Sequence, residues 1–226
     1  PKKGEPRVLP IYQSTTFKYE TSEQMARLFD LEDSGYFYTR LQNPTNDAVA
    51  SKIAALEGGV AAMLTSSGQA ANFFTFFNIC EVGDHIVSAT SIYGGTYNLL
   101  SVTLKKMGIE CTFVDQDASE EEISKAFRPN TKMMFGETLS NPGVMVLDIE
   151  KFARIAHKHG VPLVVDNTFA VRSNGELILL LIQLQNIWMA MLVVLEVALL
   201  IAVISTGMLM LTNSLVCVLQ MNHITD

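Results

Sequence analysis

The segment TSSGQAA, residues 65–71, could form a binding site for a phosphate group. It lies between an apolar run that predicts a strand and a run that predicts a helix. The backbone amides of Ser67, Gly68 and Gln69 would therefore point out of a helix N-terminus, where they and the helix dipole favour an anion. A Ser/Gly turn in this position is also a common helix cap. The segment alone leaves both interpretations open.

Two further polar segments follow predicted strands. VVDNTFA, residues 164–170, places Asp166 at the end of an apolar strand. Its carboxylate could pair with a buried cation, or it could cap the next turn. ETLSNPG, residues 137–143, places Asn141 before a proline, and a plain turn is the simpler interpretation of that pattern.

Aromatic residues occur in two segments that could contact a ligand. Tyr93 in SIYGGTY precedes two glycines, which would let its ring lie over a flat ligand, although a packed loop aromatic is the alternative. Tyr38 and Arg40 in YFYTR would suit a phosphate, because arginine supplies forked hydrogen-bond donors. An exposed salt bridge is the alternative for Arg40.

The elements that would position these residues are predicted by the pattern of residues 60–167. Short apolar runs alternate with amphipathic segments, which is typical of βα units on a largely parallel sheet. The predicted strands are residues 60–66, 85–89, 110–115, 132–137 and 161–166. The predicted helices are residues 69–79, 96–108, 119–127 and 148–160. Ligands of such sheets bind at the carboxyl edge of the strands, so we expect the chemistry there.

The first 59 residues are predicted to form an N-terminal arm. They include a polar turn at residues 43–45 and then a helix over about residues 47–57. We predict three parts in the chain: the arm over 1–59, a large-domain fragment over 60–170 and an apolar tail over 171–226.

Composition excludes several classes of function. The net charge of −7 and the pI of about 5.1 argue against a nucleic-acid-binding surface. The three cysteines show neither metal-ligand spacing nor an even count, and the four histidines show no metal spacing, so no metal site is predicted. Free thiols are typical of an intracellular protein, and the N-terminal residues do not form a secretory signal. The sequence therefore predicts a cytoplasmic protein.

The five polar segments occur in one order along the chain: YTRLQNPT, SSGQAA, SIYGGTY, ETLSNP and VVDNTFA. In this order they resemble the Cys/Met-metabolism family of pyridoxal-phosphate enzymes, over about residues 10–170. The sequences of these segments most resemble those of O-acetylhomoserine sulfhydrylases, with methionine γ-lyase and cystathionine γ-synthase as near relatives. The resemblance implies the large domain of an α/β, aspartate-aminotransferase-like PLP-dependent transferase. It also implies that pyridoxal 5′-phosphate is the cofactor.

The resemblance assigns roles to the residues at the strand ends. Asp166 would hold the pyridine nitrogen protonated, which makes the ring an electron sink. The backbone amides of Gly68 and Gln69 would bind the cofactor phosphate. Ser67 and Thr168 would complete the cofactor-binding set.

The aromatic and arm residues also receive roles from the resemblance. Tyr93 would stack on the ring and protonate the leaving group, and Asn141 would bind near the ring hydroxyl or the substrate carboxylate. Tyr38 and Arg40 would reach the phosphate of a neighbouring subunit, which implies a homodimer or homotetramer. The implied reaction is γ-replacement on a small amino-acid substrate, O-acetylhomoserine, to give homocysteine in methionine biosynthesis.

One residue of the family pattern is missing. The family has a lysine in a Ser/Thr-Thr-Lys turn about two dozen residues after the aspartate, and this lysine forms the Schiff base with the cofactor. Here residues 181–191 read LIQLQNIWMAM, and no lysine follows Lys158. The small C-terminal domain and its substrate-binding arginine are not found either. We therefore expect impaired catalysis. The alternatives to a sulfhydrylase are a γ-lyase, a γ-synthase, or a non-catalytic remnant that associates with intact subunits.

The tail differs sharply in composition from the rest of the chain. Of 39 Lys, Arg, Asp and Glu residues, only Glu196 and Asp226 lie beyond position 176. In the family Ala170 is followed by a segment such as TPINCRPFEWGADIVTHSTTKYMDGHA, and the codons of its RPFEWGADIVTHSTTKYMDGH part, read one base late, can spell residues 171–191. We therefore predict a frameshift, with a few codons lost just after Ala170 and with the lysine codon contributing to Asn186. A one-base shift moves the third base of each codon, often T, into the middle position. Codons with T in the middle encode apolar residues.

Two other interpretations of the tail remain open at this stage. Residues 187–204 are 18 residues long with one charge, Glu196, and that length can span a bilayer. A carboxylate near the middle of a span costs about 2.5–3.5 kcal/mol on insertion scales, and no basic residue flanks the segment, so a membrane is not expected. An irregular helix packed on an exposed sheet face is the third interpretation.

Overall fold

The computed structural model describes residues 7–57, 59 and 61–169, together with the backbone of 179–183 and 198–201. Its helices are α1 Ser22–Phe29, α2 Pro44–Glu57, α3 Gly68–Ile79, α4 Gly94–Asn98, α5 Leu104–Lys106, α6 Glu120–Ser124 and α7 Ile149–Lys158. A π-helical turn, Leu99–Thr103, joins α4 to α5. Its strands are β1 Met63–Thr65, β2 His85–Ala89, β3 Glu110–Val114, β4 Thr131–Glu137, β5 Leu163–Asp166, β6 Leu179–Gln183 and β7 Ala198–Ile201. The chain divides into two compact units, residues 1–52 and 53–226.

In the N-terminal unit, α2 begins at Pro44, whereas the sequence pattern predicted a start at about residue 47. Asn43 accepts a hydrogen bond from the amide of Thr45 at 2.9 Å and donates one to the carbonyl oxygen of Tyr12 at 3.0 Å. Proline is favoured at the first helical position, because its fixed φ suits the helix and its missing N–H has no partner there. Most of the predicted polar turn is therefore the start of the helix.

The second unit contains the sheet, whose strand order is β1-β7-β6-β5-β4-β2-β3. The pairs β2–β3, β2–β4, β4–β5 and β5–β6 are parallel. Strand β7 is antiparallel to both of its neighbours, β1 and β6. The largely parallel α/β architecture predicted from the sequence is therefore confirmed.

Strand β2 and most of strand β4 are buried, which explains their apolar composition. All five residues of β2 are buried, as expected for a parallel strand covered by helices on both sides. Phe76 on α3 packs edge-to-face against Phe135 on β4, with ring centroids 5.1 Å apart. On α7, Phe152 and Ile155 are buried in the same core. These contacts pack α3 and α7 against the sheet.

The helix ends follow the expected capping chemistry. Ser119 accepts a hydrogen bond from the amide of Glu122, and the Glu122 side chain accepts one from the Ser119 amide, which forms a capping box at α6. Asp148 caps α7 by accepting from the amide of Lys151 at 2.9 Å. Beyond α7, Gly160 has a φ of +69°, a conformation that glycine adopts without strain.

Two segments of the apolar tail belong to the sheet. Residues 179–183 extend it as β6 beside β5, and residues 198–201 form β7. At these two segments the structure has strands where the third interpretation expected a helix. Residues 187–197 and 202–204 of the membrane interpretation lie outside the described residues. Among the helices that the structure describes, none has the length and apolar character needed to cross a bilayer.

The parallel strands bring two carboxylates to one edge of the sheet. Strand β4 ends at Glu137 and β5 ends at Asp166, and these two residues are register partners. The loops that follow β2, β4 and β5 leave the sheet at this same edge, which is where open α/β sheets bind ligands.

Candidate cofactor site

The N-terminus of α3 forms one side of a cavity at the carboxyl edge of the sheet. Ser67 caps the helix, because its Oγ accepts a hydrogen bond from the amide of Ala70 at 3.0 Å. The first amides of a helix have no acceptor within it, and Gly68 and Gln69, which supply them here, both line the cavity. The segment therefore combines the cap with a turn that could bind an anion.

Asn72 lies one turn further along α3 and links three elements. Its Nδ2 donates a hydrogen bond to Oγ1 of Thr96 on α4 at 3.1 Å, and a long one to Oδ2 of Asp166 at 3.4 Å. The side chain of Gln69 donates to the same threonine oxygen at 2.9 Å. Asn72 is 1% exposed, and its Oδ1 has no hydrogen-bond partner in the described part of the chain.

The carboxylate of Asp166 is fixed at the end of β5. Its Oδ1 accepts hydrogen bonds from the backbone amide and the hydroxyl group of Thr168. Burial raises the pKa of Asp166, while the hydrogen bonds from Thr168 and Asn72 oppose that rise. No cationic side chain of the described residues contributes to this pKa. Because a buried carboxylate without a cation is costly, the site suits a ligand that brings a positive charge.

A second carboxylate, that of Glu137, lines the same cavity. Its Oε1 accepts a hydrogen bond from the backbone amide of Tyr93 at 2.7 Å, and the backbone amide of Asn141 also donates to this carboxylate. The pKa of Glu137 is raised to about 7, mainly by burial, and the charge of Asp166 contributes to this rise while the two amide hydrogen bonds oppose it. The Glu137 carboxyl therefore titrates near neutral pH.

The ring of Tyr93 forms another wall of the cavity. Tyr93 is the N-cap residue of α4, and its side chain makes no capping hydrogen bond. The ring lies so close to Gly95 that a Cβ at this glycine would be 2.5 Å from Cε1 of the tyrosine. The side chain is 47% exposed, so its face is available to a ligand.

The cavity has a volume of about 280 Å³, near the lower end of pockets that bind small molecules. It brings together six residues predicted from the sequence: Gly68, Gln69, Tyr93, Asn141, Asp166 and Thr168. It also contains four residues that the sequence did not indicate: Asn72, Glu137, Leu139 and Phe169.

The predicted residues Tyr38 and Arg40 belong to the N-terminal unit. The guanidinium carbon of Arg40 lies 5.1 Å from the centroid of the Tyr38 ring, a cation–π arrangement. The amide of Thr39 between them donates a hydrogen bond to the carbonyl oxygen of Thr15 at 2.9 Å. Their role toward a neighbouring subunit stays a prediction.

Chemically, the cavity suits a flat, anionic ring that carries a basic nitrogen. The first amides of α3 can bind a phosphate, the Tyr93 ring offers a stacking surface, and Asp166 can pair with a protonated nitrogen. In the described part of the chain, no group of His, Cys, Asp and Glu is arranged to hold a metal ion. The amides of the helix N-terminus, the stacking surface of Tyr93 and the Asp166 carboxylate together indicate an organic cofactor.

A family model described as "Cys/Met metabolism PLP-dependent enzyme" matches residues 2–175. The chain belongs to this Cys/Met-metabolism family. Its cofactor is pyridoxal 5′-phosphate, and two features of the cavity fit that cofactor. One is the desolvated Asp166 carboxylate, which has no cationic partner among the described residues, and the other is a helix N-terminus whose first two residues line the same space.

Similar proteins come from fungi and bacteria. Over 164 residues the chain is 48% identical to a homocysteine/cysteine synthase of Kluyveromyces lactis, covering 73% of this chain and 37% of that protein. It is 48% identical over 164 residues to an O-acetyl-L-homoserine sulfhydrylase of Corynebacterium glutamicum, covering 73% of this chain and 38% of that protein. The chain thus spans less than two fifths of the length of these curated relatives.

A solved structure is similar in fold as well as in sequence. It is a putative O-acetylhomoserine (thiol)-lyase from Campylobacter jejuni, with a TM-score of 0.76 and 35% identity. The match covers 85% of this chain and 48% of that one. That protein carries N′-pyridoxyl-lysine-5′-monophosphate, a lysine linked to the cofactor. The aspartate-aminotransferase-like large-domain fold is therefore confirmed for this member of the Cys/Met-metabolism family.

Two of the four cavity residues that the sequence did not indicate are polar, Asn72 and Glu137. Glu137 was treated only as the end of a strand, although polar residues at the carboxyl edge are candidates for a site. Asn72 lies four residues after Gly68, so both occupy the same face of α3. That spacing could have placed Asn72 beside the anion-binding turn.

Proposed function

We propose that this chain is the cofactor-binding portion of an O-acetylhomoserine sulfhydrylase, an enzyme that replaces the acetyl ester of O-acetylhomoserine by sulfide or a thiol to give homocysteine. The observation that carries the proposal is the shared cavity of Asp166, Tyr93 and the first amides of α3. The similarity to named sulfhydrylases and homocysteine synthases supports this substrate class.

Each residue of the cavity has a task under this proposal. Pyridoxal 5′-phosphate, when bound, supplies an electron-withdrawing ring that stabilises a carbanion at the amino acid. Gly68 and Gln69 bind the phosphate through their amides. Asp166 keeps a proton on the ring nitrogen by ion pairing, and Thr168 holds the Asp166 carboxylate in place. Tyr93 covers one face of the ring and excludes water from it.

Catalysis by this chain is a separate question, because no lysine follows Lys158. We expect the chain to bind the cofactor by non-covalent contacts and to turn over O-acetylhomoserine many orders of magnitude more slowly than its relatives. Homocysteine formation from O-acetyl-L-homoserine and sulfide measures this expectation, with an intact sulfhydrylase as the reference. Turnover comparable with that of the reference would contradict it.

The missing lysine also favours a second function, that of a non-catalytic subunit. Under this proposal the chain associates with intact family members through residues 1–59, with Tyr38 and Arg40 at the neighbour's phosphate. Co-purification with a full-length homologue, and its loss when residues 1–59 are deleted from the chain, would support this function. Cofactor-dependent turnover without a partner would contradict it.

The frameshift is our proposal for the origin of residues 171–226. It is supported by the almost complete loss of charge beyond position 176. Under this proposal the strands β6 and β7 reflect the apolar composition that a shifted frame produces. Sequencing the gene tests the idea, because a Thr-Thr-Lys motif should be present in another frame downstream of the Ala170 codon. Its absence from every frame would exclude the frameshift.

A pair of glycines tests the stacking role of Tyr93. Gly95→Ala should displace the tyrosine ring, since the new Cβ would lie 2.5 Å from Cε1. We expect affinity for pyridoxamine 5′-phosphate to fall about two- to tenfold, the range of an aromatic stacking contact. The free energy of unfolding, measured by thermal denaturation, should change by less than about 0.5 kcal/mol, because the half-exposed ring can move.

The matched control is Gly94→Ala. A Cβ at Gly94 meets no atom within 4 Å, so this variant should bind like the unsubstituted chain. Both positions lie at the start of α4, so the two substitutions have similar effects on helix propensity. Equal affinities of the two variants would argue against a stacking role for Tyr93.

A further inference from the structure

Glu137 joins three segments that surround the cavity. It ends β4, it accepts a hydrogen bond from the backbone amide of Tyr93 in the loop before α4, and it accepts another from the backbone amide of Asn141 in the loop after β4. The side chain is only 4% exposed. A buried carboxylate with two amide donors fixes the positions of both donors relative to the strand.

This connection matters most for Tyr93. Its side chain makes no capping hydrogen bond, and its ring is about half exposed. Two features therefore set the orientation of the ring: the backbone position of Tyr93 and the absence of a side chain at Gly95. The backbone amide of Tyr93 donates a hydrogen bond to Oε1 of Glu137 at 2.7 Å, which holds that backbone position.

We propose that Glu137 is a positioning residue, which holds the backbone of Tyr93 so that its ring can stack on the cofactor. This inference rests on the proposed function of the cavity as a pyridoxal-phosphate site. Glu137 acts through Tyr93 and does not need to contact the cofactor. The second hydrogen bond that Glu137 accepts, from the backbone amide of Asn141, holds the loop after β4 at the same end of the strand.

The test is a double-mutant cycle in the full-length chain. The ligand is pyridoxamine 5′-phosphate, because its amine cannot form an imine with surface lysines. The variants are Glu137→Ala, Tyr93→Ala and the double variant, and affinity is measured by fluorescence or calorimetry. Glu137→Gln is added because it keeps the side-chain shape, and Glu81→Gln, at an exposed glutamate, is the matched control.

We expect Glu137→Ala to lower the affinity about tenfold, the effect of losing a buried charge-assisted hydrogen bond. In the Tyr93→Ala background the same substitution should change the affinity less than about twofold, because coupled residues are not additive. Glu137→Gln should retain part of the affinity, since its carbonyl oxygen can still accept from Tyr93. Glu81→Gln should bind like the unsubstituted chain.

Two results would overturn the role of Glu137. One is an equal loss of affinity from Glu137→Ala in both backgrounds, which would indicate a general structural role. The other is unchanged affinity in both Glu137 variants. If the unsubstituted chain did not bind pyridoxamine 5′-phosphate, the cofactor site itself would be refuted, and the Glu137 proposal with it.

Discussion

Replacing Asp166 with asparagine is expected to lower the affinity for pyridoxamine 5′-phosphate about a hundredfold or more. Asp166 is half-buried at the wall of the cavity, desolvation raises the pKa of its carboxyl, and no cationic side chain of the described residues compensates its charge. A protonated ring nitrogen would supply that compensation, and breaking a buried ion pair costs about 3–5 kcal/mol. Calorimetric titration of the variant and the unsubstituted chain measures the difference.

The substitution should leave the free chain folded. Because the folded-state pKa of Asp166 is raised, its ionised form destabilises the chain as pH rises, and a neutral amide avoids this penalty. Asp117→Asn is the matched control, since Asp117 is exposed and lies away from the cavity lining. If Asp166→Asn bound the ligand as tightly as the control, Asp166 would not be the partner of the ring nitrogen.

The second large effect is a change in the pH dependence of stability caused by Glu137→Gln. The folded-state pKa of Glu137 is about 7, above the ordinary value of 4.5, mainly because the group is buried. Its contribution to stability is therefore fully present below about pH 4.5 and is lost as pH rises through 7. At 1.36 kcal/mol per pKa unit, this loss amounts to about 3 kcal/mol.

We expect Glu137→Gln to be more stable than the unsubstituted chain at pH 8 and to show a smaller difference at pH 5. Urea unfolding at both pH values gives the two free energies. His85 changes the stability in the opposite sense: burial lowers its folded-state pKa from 6.5 to about 4, so its contribution to stability increases as pH rises through this interval. The variant must therefore be compared with the unsubstituted chain at each pH. A difference that does not grow between pH 5 and 8 would contradict the assigned pKa of Glu137.

The sheet was predictable because its strands are short, apolar and separated by polar turns. The segment HIVSA, residues 85–89, forms β2 with the predicted bounds, and KMMFGE forms β4 with one additional residue at its start. Strand β1 is shorter than predicted: it covers Met63–Thr65, whereas residues 60–66 were expected. Val60 lies outside the described residues. Helix α1 was not predicted, and only Leu28 of its eight residues is buried.

The site was only partly predictable, because burial and hydrogen bonding across the sheet cannot be read from a single segment. The sequence indicated Asp166 and Tyr93 as separate candidates, each with a structural alternative. The register of β4 and β5 places Glu137 beside Asp166, and this pairing depends on residues 29 positions apart. Asn72 reaches Asp166 over 94 positions, which no local pattern could indicate.

Direct titration of the full-length chain with pyridoxamine 5′-phosphate tests the central claim that the cavity at the carboxyl edge is a pyridoxal-phosphate site. We expect saturable binding of this ligand and much weaker binding of pyridoxamine, which lacks the phosphate that the first amides of α3 would hold. Absence of saturable binding, or equal affinity for both ligands, would contradict it.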